Sequence, residues 1–127
     1  MKESSKNHAS VFAGIFSRLR GILAGYAPPL VVSADRDDYY CLTIPYSPKF
    51  KKSFPVAWVK SSKSYVSFHF MPIYISPVLQ KELSKRLKRR MQGKSCFNFK
   101  EPDEVLFEDL EKITAKGFAL SKKLGVM

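Results

Sequence analysis

The stretch YVSFHFM, residues 65–71, decides the fold. Val66, Phe68 and Phe70 fall on one side of an extended chain, and Tyr65, Ser67, His69 and Met71 on the other. Successive side chains of a strand point to opposite faces, so this segment is a strand with one greasy face and one polar face. Phenylalanines at that spacing pack beneath helices. The second set is left for solvent or a partner.

Segments 30–34, 39–44 and 54–60 precede it, rich in aromatic and β-branched residues, with turn-forming clusters at 35–38, 45–53 and 61–64 between them. Pro55 and Pro72 have no N–H for a ladder and are expected at strand ends or edges. From 77 to 91 the period becomes helical, with Leu79, Leu83, Leu87 and Met91 facing the core and Gly93 ending the helix. Residues 94–100 alternate again, Phe97 and Phe99 against Cys96 and Asn98. After Pro102, Asp103 and Glu104 occupy a first helical turn, and the helix runs to about Lys122. Gly117 lies in its apolar arc, where a missing side chain admits another backbone.

At the other end, Val11, Phe12, Ile15, Phe16, Leu19, Ile22, Leu23 and Tyr26 recur at helical spacing. That helix stops near Gly25, Pro28 and Pro29, and residues 1–9 are expected to fray. The order is helix, four strands, helix, strand, helix. It predicts one α+β domain over 1–127, a two-layer sandwich with helices on one face of a mostly antiparallel sheet of about five strands.

The chain has 127 residues and a formal charge of +11, from 22 Lys and Arg against 11 Asp and Glu. Such a field favours polyanions and acidic surfaces. No apolar run approaches the roughly 20 residues of a membrane span, and the start, MKESSKNHAS, lacks the apolar centre of a signal peptide, so a cytoplasmic protein with no membrane partner is expected. Cys41 and Cys96 stand far apart without CxxC spacing, which predicts reduced thiols.

The basic run RLKRRMQGK, residues 86–94, is for the most part a solvated helix face with cations near its C-terminal end. On one continuous helix, Arg86 and Arg90 flank the leucine stripe half-buried, where a guanidinium needs an anion, and Lys94 joins them at the rim. Tyr65, Ser67 and His69 of the polar sheet face complete the candidate binding surface. Nucleic-acid binding calls for aromatic rings standing out of the sheet among cations, and the phenylalanines of 65–71 face the helices instead. Cys41, His69 and Cys96 would meet as metal ligands only on neighbouring strands, and no metal or other cofactor is expected. No acid stands near His69 in sequence, and no GxSxG, Walker, GxGxxG or HExxH pattern occurs, which leans against an enzyme. Trp58 and Met71 are assigned to core or rim packing.

The blocks KSYVSFHFMPIY (63–74) and LKRRMQGKSCFNFK (87–100), with the closing amphipathic helix, resemble the YdhG-like domain-of-unknown-function family of small bacterial proteins. The resemblance implies a two-layer sandwich with terminal helices on one side of the sheet. One branch of the family is connected with frataxin-like iron delivery, held on an acidic ridge at the first helix. Here that helix carries Lys6, Arg18 and Arg20 with only Glu3, and hard cations need carboxylate oxygen. The leading expectation is a non-enzymatic binding domain for an anionic small molecule or an acidic protein. A nucleic-acid-associated role through exposed lysines comes second, and iron handling third.

Overall fold

The computed structural model describes residues 2–93 and 95–127, with side chains from Ala9 onward. The expected fraying of residues 1–9 falls almost wholly outside those side chains. The elements run α1 (Lys2–Ala24), β1 (Val31–Arg36), β2 (Tyr39–Ser47), β3 (Lys52–Ser61), β4 (Val66–Phe70), α2 (Met71–Ile75), α3 (Pro77–Glu82), α4 (Lys85–Lys88), β5 (Met91–Gln92), β6 (Cys96–Phe99) and α5 (Glu104–Lys123). The α+β class, with a helix at each end of the chain and an antiparallel sheet between, is as the sequence predicts. The sheet has six strands rather than five, in the order β1-β2-β3-β4-β6-β5, and every neighbouring pair is antiparallel.

Val66, Phe68, Phe70, Phe97 and Phe99 are buried with Leu42, Val59 and the apolar stripes of α1 and α5. Phe99 meets Phe107 edge-on at 5.2 Å, and Phe70 meets Phe118 at 5.0 Å, so α5 lies on the phenylalanine face. Asp103 sits one residue earlier than expected, at the N-cap of α5, where its Oδ1 accepts from the Leu106 N–H at 3.3 Å. Arg18 ties α1 to α5, donating from Nη2 to Glu104 Oε1 at 2.6 Å and pairing with Glu111. Among the described residues no helix is long and apolar enough to cross a membrane.

The continuous helix expected over 77–91 is broken. Leu83 is extended (ψ 135°), Ser84 caps α4 by accepting from the Leu87 N–H at 3.1 Å, and Met91–Gln92 pairs with β6 as the sixth strand. Leu79, Leu83 and Leu87 are still buried and Met91 packs against the core. A stripe repeating every four residues survives the two-residue break at Leu83 and Ser84, because each short helix turns its own leucine inward. What changes is the phase of the residues between them, with consequences for Arg86 and Arg90.

Gly117 is buried, and the group close to it is a ring rather than a backbone. A Cβ built there would lie 2.6 Å from Phe70 Cζ and 3.3 Å from Pro72 Cβ. Phe70 is fully buried and cannot swing into open space. Gly117→Ala is therefore expected to destabilise by about 1–3 kcal/mol through overpacking, outweighing the roughly 1 kcal/mol that alanine gains in a helix. Urea unfolding measures this, and Phe70→Leu on the Gly117→Ala background recovers part of the loss. A Gly117→Ala protein more stable than wild type would contradict the packing described.

Candidate functional site

Among the described residues no long helix covers the face of the sheet opposite the phenylalanines, although Met71 and Tyr74 of α2 adjoin it at one end and Cys41 is buried within it. Two cross-strand rows define it. Cys41 pairs with Trp58, Trp58 with His69, and His69 with Cys96. Beside them, Arg36 pairs with Tyr39, Tyr39 with Lys60, Lys60 with Ser67, and Ser67 with Asn98. The Asn98 N–H donates to the Arg90 carbonyl at 2.9 Å, one step before the Met91–Phe97 pair. Met91 turns inward with Phe97, so the pleat turns Arg90 outward with Asn98. The second row therefore runs Arg36, Tyr39, Lys60, Ser67, Asn98, Arg90.

Trp58 and His69 stack with ring centroids 3.8 Å apart and planes 7° from parallel. His69 Nε2 lies 3.2 Å from Ser95 Oγ and 3.2 Å from Met71 Sδ. It donates to either atom when protonated there, and accepts from the Ser95 hydroxyl in the other tautomer. Burial lowers the His69 pKa below its ordinary value of 6.5, so the ring is neutral at pH 7. Ser67 donates to Asn98 Oδ1 at 2.8 Å. Burial raises the Cys96 thiol pKa, partly offset by Ser67, which keeps it a poor thiolate.

The expected binding residues separate. Ser67 and His69 lie half-buried on the open face, and Tyr65 shares their parity just ahead of β4. Arg86 and Arg90 are not half-buried beside the leucine stripe. Both are exposed and neither forms an ion pair with a described residue, because the break at Leu83–Ser84 re-phases the helix on which that placement depended. Arg90 joins the open face through the sheet and Arg86 stays on α4. Lys94 lies outside the described residues. Cys41 is two strands from His69, with Trp58 between them, and no group of three His, Cys, Asp or Glu among the described residues can hold a metal ion. Ser95 and His69 form a nucleophile–base contact, but no described carboxylate orients the ring and Ser95 is buried.

A groove of about 410 Å³ adjoins the stack. Phe50, Phe54, Trp58, Met71 and Tyr74 line it, with Lys52 at the edge. Tyr74 is 56% exposed and Phe50 40%. Its neighbours Lys49 and Lys51 occupy the β2–β3 turn, which is held by Phe50 N–H donating to Ser47 Oγ at 3.2 Å and Lys49 N–H donating to the Gly125 carbonyl at 2.9 Å. A signal for this surface was present in the sequence. Between Asp38 and Glu101 the chain has thirteen Lys and Arg against one acid, Glu82.

Comparison with family models, curated proteins and solved structures gives no match for this chain.

The single tryptophan reports on His69. As pH falls through the lowered histidine pKa, the imidazolium should quench the stacked indole, with a midpoint below 6.5. The unfolded chain binds the proton first, so His69 contributes full stability above pH 6.5, and that contribution declines as pH drops toward the folded pKa. A His69→Gln protein should show neither the transition nor that share of the stability change. A wild-type midpoint at or above 6.5 would contradict the burial.

Proposed function

We propose that this chain is a non-enzymatic binding domain whose open sheet face engages an anionic partner. The observation that carries the reading is the segregation of charge. Five of the eleven acids serve the helical half: Glu104 and Glu111 hold Arg18, Asp35 holds Arg20, Asp103 caps α5, and Glu82 meets Lys116. The strands β2 to β6 contain no carboxylate, and the net charge of +11 arises there and in the short helices between them. Along the outer row the only described carboxylate to approach a cation is Asp38, from the β1–β2 turn, 3.5 Å from Arg36. Lys60 and Arg90 make no ion pair with a described residue.

Cations strung along a sheet beside hydroxyl and amide groups offer an anion both charge and hydrogen bonds. Tyr65, Ser67, His69 and Arg90 enter this reading by position on one face, and Arg86 only by its charge. Kinship with the YdhG-like proteins, proposed from the two quoted blocks and the closing amphipathic helix, would imply a fold rather than an activity.

Inorganic polyphosphate, which carries charge and no rings, is the appropriate probe. Reversing Lys60 and Arg90 to Glu together should weaken its binding by at least about tenfold at low salt. The same change at Lys112 and Lys123 on α5 should cost much less. Equal losses for the two pairs would mean that the overall field binds rather than this face.

A further inference from the structure

Resting on the open-face reading above, we infer that the anionic partner is a single-stranded nucleic acid lying along β3, with unstacked bases in the groove beside Trp58. Four observations lead there. Strand β3 is ten residues long, about 30 Å at the rise of a β-strand. Lysines stand at both of its ends: Lys49, Lys51 and Lys52 at one, Lys60 and Lys63 at the other. None of these five is in an ion pair with a described residue. A groove lined by aromatic rings adjoins this strand: Trp58, the exposed Tyr74, and Phe50, which stands among the first lysines and meets Phe54, itself packed on the core, at 5.8 Å and 80°.

A linear run of cations interrupted by flat apolar surface matches a strand of phosphates with ring-shaped side groups. Every base has a π-face, so such a surface binds without reading sequence. A duplex keeps its bases stacked inside and cannot reach the rings, which selects for a single strand. The aromatic residues that stand among cations are thus not the strand phenylalanines at 66–70 but the groove rings one strand away.

The turn carrying the lysines is also fixed in place. Lys51 adopts φ +56°, a left-handed conformation that glycine or asparagine takes more readily. The Lys51 N–H donates to the Ser47 carbonyl at 2.6 Å, closing the turn. A lysine held at a position that favours glycine is a cost that a binding surface explains. Trp58 arrives pre-ordered by its stack on His69, so less freedom is lost when a base settles beside it.

The test uses the whole chain and an oligothymidylate of about a dozen nucleotides, within the range that single-strand folds occupy. It is compared with an abasic oligomer of equal length, the corresponding duplex, polyphosphate and an oligoglutamate peptide. The single strand is expected to bind tighter than all four and to change Trp58 fluorescence. Tyr74→Ala and Phe50→Ala, both at exposed positions, should each weaken it by about fivefold or more while leaving polyphosphate binding unchanged. Lys60→Gln should reduce the slope of log affinity against log salt by about 0.7, the share of one phosphate on a single strand. Equal affinity for the abasic oligomer or polyphosphate, with Trp58 unaffected, would overturn the inference while leaving the anionic face standing. Preference for the duplex or for oligoglutamate would overturn it in the same way, and failure of every polyanion to bind would remove both readings.

Discussion

One-sided burial of phenylalanine in a single antiparallel sheet governs the rest of this molecule. Phe68, Phe70, Phe97 and Phe99 are at most 1% exposed, and they alternate with Ser67, His69, Cys96 and Asn98 on adjacent strands. A one-residue slip of β4 would exchange the two sets. At about 1.5–3 kcal/mol for each large apolar side chain, exposing Val66, Phe68 and Phe70 together would consume much of the 5–15 kcal/mol by which a typical domain is stable. The register is therefore tightly specified. With α1 and α5 both used on the phenylalanine side, the chain has no long helix left to cover the other.

The same division organises charge. Five carboxylates cap or cross-link helices, and none of the described Lys and Arg residues between Tyr39 and Glu101 pairs with a described carboxylate. An arrangement made only for stability would intersperse the two signs, since like charges along one face repel. Keeping Lys60 and Arg90 in one row, and Lys49, Lys51 and Lys52 within four residues, is a cost to the isolated fold that an anionic partner offsets. Trp58, His69 and the groove add apolar contact area next to those charges, and affinity gains more from a ring in a cleft than from exposed ion pairs.

Much of this is legible in the sequence. Period-two alternation in 65–71 and 96–99 identified the buried and open faces, and Ser67, His69, Cys96 and Asn98 lie where it placed them. Other features were hidden for physical reasons. Trp58 stands in the run Val56-Ala57-Trp58-Val59, where a bulge at Val56 inserts an extra residue against β2 and masks the alternation that would have turned the indole outward. Arg86 and Arg90 were placed by a helical wheel that assumed an unbroken helix, whereas capping by Ser84 restarts the helix and the chain beyond Lys88 leaves it for the sheet edge. The near-absence of acids between Asp38 and Glu101 was readable, yet composition over the whole chain dilutes it to an unremarkable excess of lysine.

The central claim, that the phenylalanine face is sealed and the polar face lies open, is most directly tested by NMR with a soluble paramagnetic relaxation agent. Side-chain signals of Trp58, His69 and Asn98 should broaden as the agent is added, while the ring signals of Phe68 and Phe97 stay sharp. Broadening of those two phenylalanines, with His69 and Asn98 protected, would turn the sheet over and contradict the account.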